Sequence, residues 1–252
     1  DPGETPAECG CREIKEETGL KVSLGVKLYV SEYRLENGHK KQVHYWSAEV
    51  TDQALKNQNF EPDDEVGSFA WLSVKEAKKR MTYKHDIEPL NALQELDEAN
   101  FLETVPVLVL RHAKATPRDE WSKGEATRPL LPVGAVQAVA LTNQLAAFGP
   151  SLVVTSPWRR CLDTVLPFVA KHQVKLAERS PLTELGTKTN PAKAIKLVHS
   201  LVNDQKPVVI CSHRPSLPTI IEALAEYAGR KVQKELAAIA DIKPGEFYVL
   251  HF

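Results

Sequence analysis

Apolar and polar positions change their rhythm near the middle of the chain. Upstream, a charged stretch at 6–18 carries helical spacing and stops at Gly19. Two β-rich runs follow, Val26–Leu35 and Gln42–Val50, flanking the polar turn Glu36-Asn37-Gly38-His39. Glycine ends a helix because it enters the left-handed region without steric cost, and an Asn-Gly step favours a tight hairpin. A helix and an antiparallel pair are therefore expected. After the polar stretch 52–64, Gly67–Leu72 predicts a further strand and Ser73 the N-cap of a helix beginning Val74-Lys75-Glu76-Ala77. Another helix is expected at about 85–98.

Downstream, short unbroken apolar runs alternate with helical segments. Strands are expected at 105–111, 151–155, 174–178, 207–212 and 246–251, and helices near 132–148, 157–172, 191–203 and 215–228. Such alternation reads as α/β, with helices covering a sheet. The change of pattern sets the boundary near 100–105, giving domains 1–100 and 101–252. A chain of 252 residues suits two domains of roughly 100 to 150 residues each.

Composition narrows the partners. A formal net charge of −1 gives no global attraction to a nucleic-acid polymer or an anionic membrane, so any anion site must be local. The four cysteines, Cys9, Cys11, Cys161 and Cys211, are too sparse for a disulfide scaffold and fit a reducing cytoplasm. No apolar run reaches the roughly 18 to 20 residues of a membrane-spanning helix, and no leader pattern is present, so a soluble cytoplasmic protein is expected.

Three segments of the second half end in groups suited to phosphate. Arg111 and His112 follow Val107–Leu110, Ser212-His213-Arg214 follow Pro207–Cys211, and Ser156-Pro157-Trp158-Arg159-Arg160 follow Leu152–Thr155. Strand ends are where α/β sheets bind ligands, and Pro157 suits the first turn of a helix whose N–H groups help hold an anion. Histidine is a competent nucleophile toward phosphorus, and guanidinium groups neutralise the charge that develops on its oxygens.

With Leu110-Arg111-His112-Ala113, Ser156-Pro157-Trp158-Arg159-Arg160-Cys161-Leu162-Asp163-Thr164 and Cys211-Ser212-His213 in this order, the second half resembles the histidine phosphatase superfamily. His112-Ala113-Lys114-Ala115 and Arg128-Pro129-Leu130 are similar to its small SixA-type branch. The resemblance implies a mainly parallel sheet flanked by helices and no cofactor. It also implies His112 as nucleophile, with Arg111, Arg160 and His213 on the phosphate. Glu184, in Leu182-Thr183-Glu184-Leu185, is either the acid for the leaving oxygen or a loop residue, and Arg214 contacts either a second phosphate or an acidic neighbour.

Near the start, Glu4 is followed after seven residues by Arg12-Glu13-Ile14-Lys15-Glu16-Glu17-Thr18-Gly19-Leu20. Glu13, Glu16 and Glu17 fall on one helical face, where their mutual repulsion is relieved by solvent or by a hard cation that also bridges diphosphate oxygens. The pattern resembles the Nudix box at every position from Glu4 to Leu20. The first glycine of the box would precede Asp1, so an incomplete Nudix α/β/α sandwich is expected, with earlier sequence missing. By resemblance Glu13, Glu16 and Glu17 are metal or base carboxylates, with Mg²⁺ or Mn²⁺ as the ion, and Glu4 and Arg12 orient the helix. Glu65 is either a fourth metal carboxylate or part of the acidic loop Glu61-Pro62-Asp63-Asp64, and Trp71 is expected to be structural, in the core and not a substrate platform.

Together the two halves resemble two-domain MutT-type proteins of mycobacteria and related actinobacteria. That likeness implies Mg²⁺-dependent hydrolysis of 8-oxo-guanine nucleoside triphosphates and diadenosine polyphosphates, for nucleotide-pool sanitation. Two alternatives remain open. One is a phosphatase for a phosphohistidine protein or a small phosphomonoester; the other is a non-catalytic nucleotide-binding or docking module.

Overall fold

A computed structural model describes residues 3–35, 37–62, 64–228 and 241–252, so Glu36 of the expected turn and Asp63 of the acidic loop lie outside the described residues. The chain separates into two compact units, Asp1–Thr104 and Val105–Phe252.

In the first unit, α1 (Pro6–Thr18) starts at a capping box in which Thr5 Oγ1 accepts from the Glu8 amide and the Glu8 carboxylate accepts from Thr5. This satisfies donors that the first helical turn leaves open. The helix ends at Gly19, whose φ of 69° is left-handed and where an added Cβ would stand 2.3 Å from the Asn59 carbonyl oxygen. Only glycine fits that position. Strands β1 (Ser23–Arg34) and β2 (Lys40–Glu49) pair antiparallel, with register shifts between Leu24 and Tyr29. A short helix, α2 (Asp52–Lys56), forms within the stretch read as polar loop, capped by Thr51.

The strand expected at Gly67–Leu72 is absent. Among the described residues the unit has one sheet, β1 with β2, and this segment does not pair with it. An extended segment without a hydrogen-bonding partner is not a strand. Trp71 is accordingly 64% exposed, which corrects its assignment to the core. It meets the edge of Phe69, and Phe69 meets Phe60. Helices α3 (Val74–Arg80), capped by Ser73, and α4 (Lys84–Glu98) close the unit.

The second unit is a five-stranded sheet in the order β5-β4-β6-β3-β7. Strands β3 (Pro106–Arg111), β4 (Leu152–Thr155), β5 (Lys175–Glu178) and β6 (Val208–Ser212) run parallel, and β7 (Phe247–His251) is antiparallel to β3. Helices α5 (Pro132–Ala146) and α6 (Arg159–His172) pack together, as do α8 (Pro191–Asn203) and α9 (Leu217–Tyr227), with the short α7 (Glu184–Thr189) against α8. Val107 and Val109 join Ile210, Val198 and Ile220 in one core cluster. Leu108 and Leu110, which point to the opposite face, are equally buried, so β3 is covered on both sides. Each such leucine contributes roughly 1.5–3 kcal/mol of burial.

Helix α6 begins at Arg159 with Trp158 at its cap, so Pro157 stands just outside the helix instead of in its first turn. The Trp158 amide is taken up by Ser156 Oγ, which fixes this entry. On α5, a Cβ at Gly134 would sit 2.0 Å from the Lys114 carbonyl oxygen. Glycine there lets the segment after His112 lie directly on the helix.

Candidate active sites

Register brings the three predicted strand ends together. Arg111 pairs with Ser212 and Thr155 with Cys211, so His112, His213 and Ser156 leave neighbouring strands side by side. Thr164 on α6 fastens this edge: its Oγ1 accepts from the Ala113 amide at 2.9 Å and donates to the Arg160 carbonyl.

His112 is held in one tautomer. Its Nδ1 lies 2.7 Å from the Ala113 carbonyl oxygen, which only accepts, so Nδ1 carries the proton and Nε2 keeps its lone pair. Arg160 Nε donates to that Nε2 at 3.2 Å. Burial pushes the imidazole down to about 3; the Ala113 carbonyl opposes this, while the charges of Arg160, Arg111 and Arg128 add to it. The ring is therefore neutral at pH 7, the form that attacks phosphorus. His213 lies with its ring centroid 5.4 Å from that of His112 and its Nε2 2.8 Å from Ser156 Oγ. Burial first, then the charges of Arg160, His112 and Arg128, holds it well below its ordinary range.

Arg160 is 0% exposed. Its Nη1 donates to the Glu125 carbonyl at 2.8 Å, its Nη2 to Glu184 Oε1 at 2.7 Å, and its guanidinium lies over the Trp158 ring. Stripping such a group of water costs several kcal/mol unless its donors are used, as they are here. Glu184 thus joins the predicted set, with Oε1 also 3.8 Å from His213 Nδ1. Arg111 donates from Nη1 to the Ile242 carbonyl, while its buried Nε has no hydrogen-bond partner among the described residues.

Arg214 is not brought into this set. Its side chain is 64% exposed and pairs with Asp241 at 3.3 Å, the acidic-neighbour alternative. Conversely, three residues that sequence reasoning missed are present. Glu125 carries Arg128 at 3.0 Å and Arg118 at 2.7 Å, and Arg118 also reaches Glu184 Oε2 at 2.8 Å. These lie in the irregular segment between β3 and α5, where no periodicity marks them; the Arg128-Pro129-Leu130 step was the one available signal.

In the first unit Arg12 organises the carboxylates. It meets Glu4 at 3.0 Å, Glu13 at 2.7 Å and Glu16 at 2.7 Å. The guanidinium holds the Glu4 carboxyl down at about 2. Glu13 and Glu17 line an open cavity of about 1180 Å³ together with His44, Trp46 and Trp71. Glu65 is exposed in the irregular segment before Gly67. Among the described residues no group of three or more His, Cys, Asp or Glu side chains is gathered to hold a metal, because Arg12 draws Glu13 and Glu16 to itself. The donor set still fits a hard divalent cation in kind: three carboxylates on one helix, two of them facing the cavity. Among the described residues no helix is long and apolar enough to cross a membrane.

Comparison with known proteins finds both families that the sequence resembles. Residues 1–93 match the NUDIX domain, and residues 107–191 match the histidine phosphatase superfamily, branch 1. An 8-oxo-(d)GTP phosphatase of Mycolicibacterium smegmatis is 32% identical over 235 residues, which cover 93% of this chain and 69% of that protein. A mycobacterial glucosyl-3-phosphoglycerate phosphatase is 17% identical with a TM-score of 0.45, over 59% of this chain and 91% of its own. The protein histidine phosphatase SixA complexed with tungstate is 21% identical with a TM-score of 0.39, over 48% and 76%.

Proposed function

The chain belongs to the family of two-domain proteins that join a NUDIX domain to a histidine phosphatase domain, and from that premise we propose that it hydrolyses phosphoanhydride bonds in nucleotides. The substrates in this reading are 8-oxo-(d)GTP, cleaved to 8-oxo-(d)GDP, and diadenosine polyphosphates, in the service of nucleotide-pool sanitation. The observation that carries it is the unbroken run from Glu4 to Leu20, with Arg12, Glu13, Glu16 and Glu17 set on one helix, in a chain similar along 93% of its length to an 8-oxo-(d)GTP phosphatase.

Glu13, Glu16 and Glu17 would hold a divalent cation, Mg²⁺ or Mn²⁺. When bound, such an ion polarises the phosphoanhydride and lowers the pKa of an attacking water. The protein's own contribution is positional. Arg12, tied to Glu4, fixes the turn of α1 that carries the carboxylates, and Gly19 ends that helix against Asn59.

In the second unit the same reading makes His112 Nε2 the nucleophile, Arg111 and Arg160 the phosphate ligands, His213 their neighbour, and Glu184 the donor to an ester oxygen. A second reading, turnover of a small phosphomonoester or a phosphohistidine protein at this site, is supported by the neutral, single-tautomer His112 beside Arg160.

One crossed experiment tests both. Glu17→Gln is expected to lower Mg²⁺-dependent cleavage of 8-oxo-dGTP by roughly 10²-fold or more, leaving metal-independent phosphatase turnover intact. His112→Ala is expected to do the reverse and to abolish trapping of labelled phosphate on the protein. Cleavage of 8-oxo-dGTP that ignores both Mg²⁺ and Glu17 overturns the first assignment. Turnover and trapping that survive His112→Ala overturn the second.

A further inference from the structure

Arg118 lies outside every motif and at the outer end of a chain of contacts that starts on the nucleophile. His112 Nε2 accepts from Arg160, Arg160 Nη2 donates to Glu184 Oε1, and Glu184 Oε2 accepts from Arg118 Nη2 at 2.8 Å. Arg160 is fully buried, whereas the Arg118 side chain is 64% exposed. Its Nε is separately tied to Glu125 Oε1 at 2.7 Å.

We propose that Arg118 is the ligand for an anionic leaving group at the His112 site, so that this site takes diphosphates, whose leaving group is itself a phosphate, ahead of alkyl phosphomonoesters. The proposal rests on the reading of His112 as nucleophile and goes on to name the substrate class.

The chemistry runs as a balanced displacement. His112 Nε2 forms a bond to the terminal phosphorus, the bridging P–O bond breaks, and its electron pair stays on the departing oxygen. Water then attacks the phosphorus, its proton passes to solvent, and the N–P pair returns to Nε2. An alkyl leaving oxygen needs a proton in the first step. A leaving phosphate has a pKa of about 6 and departs as an anion, needing positive charge instead. Both Glu184 oxygens already accept from guanidinium groups, so donating a proton to an alkyl leaving oxygen would require Glu184 to give up one of these contacts, whereas a leaving phosphate asks for none. An in-line leaving group departs opposite His112 Nε2. Arg160 and His213 are fully buried while Arg118 is exposed, so the proposed exit of the leaving group lies on the Arg118 side. An anion there would be repelled by Glu184 unless Arg118 turned its Nη2 to it, and the Glu125 contact keeps Arg118 at the mouth while it turns.

The test uses the full chain in EDTA, so that metal-dependent hydrolysis is silent. Calorimetry with inorganic phosphate and with methylenediphosphonate, a diphosphate analogue whose P–C–P bridge cannot be cleaved, is expected to give roughly 10-fold tighter binding of the diphosphonate to the wild type. That ratio should collapse toward unity in Arg118→Gln and return in part in Arg118→Lys. A wild type without the preference, or an Arg118→Gln variant that keeps it, overturns the proposal. In turnover, Arg118→Gln should lower kcat/KM for ADP by about 10-fold and for glycerol phosphate by less than about 3-fold. Equal losses would mean that Arg118 acts only by positioning Glu184, and would also overturn it. If the binding ratio responds as expected but His112→Ala leaves turnover unchanged, Arg118 keeps its role and the nucleophile assignment falls.

Discussion

Both units gather carboxylates around one arginine, and the two clusters differ in a single physical respect. Arg12, on the face of α1, holds Glu4, Glu13 and Glu16 with its side chain 28% exposed, and Glu13 and Glu16 are more exposed still. Arg160, at the strand ends, holds Glu184 and the Glu125 carbonyl with no exposure at all. In water a charge pair is weak and exchangeable; out of water the same pair is stronger, and losing one partner strands the other. In the proposed reading the first cluster would release its carboxylates to a cation, whereas the second would meet a phosphate with its donors already set.

Removing each arginine in turn puts the largest strain on this contrast. Arg160→Ala strips Glu184 Oε1 of its guanidinium partner, with Arg118 still on Oε2, and leaves His112 Nε2 without its donor, so a loss of about 3–5 kcal/mol in the stability of the second unit is expected from urea unfolding followed by a probe in that unit. Arg12→Ala removes a guanidinium that is still partly in water and should leave the midpoint of the first unit within experimental scatter. Comparable losses in both units would erase the distinction.

A smaller effect follows from the two buried histidines. His112 is pushed down to about 3 and His213 lower still, chiefly by burial, whereas in the unfolded chain both titrate near 6.5. Between these values the unfolded state binds more protons than the folded one, so stability is full above about pH 6.5 and is lost as pH falls toward the folded pKa. Each histidine adds a slope of up to roughly 1.4 kcal/mol per pH unit once the unfolded form is protonated. Thermal unfolding of the second unit from pH 7.5 to pH 4.5 reads this directly. A flat profile, or one unchanged by His213→Asn, removes burial as the reason these rings are neutral.

Sequence legibility follows the same divide. Arg111, His112, Arg160 and His213 were readable because each sits at a fixed offset from an apolar run, and the parallel register of β3, β4 and β6 carries those offsets to one edge. Glu13, Glu16 and Glu17 were readable because helical spacing alone places them. Arg118 and Glu125 reach the site from a segment without period or cap, so nothing local announces them. Arg214 follows the same kind of strand end as Arg111 yet turns to Asp241, since an exposed cation takes whichever acid is nearest. The strand expected at Gly67–Leu72 failed for a different reason: β-rich composition gives a segment the tendency to extend, but pairing requires an edge that the segment itself does not supply.

Trp71 gives the smallest effect and the finest test of the contrast. Read from the sequence it belonged to a closing strand and to the core; in the structure it is 64% exposed, holding the edge of Phe69 at the rim of the cavity that Glu13 and Glu17 line. Truncating a buried tryptophan typically costs about 3–5 kcal/mol, whereas an exposed one away from caps and ion pairs changes stability by less than about 0.5 kcal/mol. Trp71→Ala is therefore expected to leave the unfolding midpoint of the first unit essentially where it was, while Phe168→Ala, fully buried on α6, should cost the second unit the larger amount. If the two substitutions cost the same, the first unit holds its aromatic residues as tightly as the second, and its open carboxylate face would need another cause than looseness of packing.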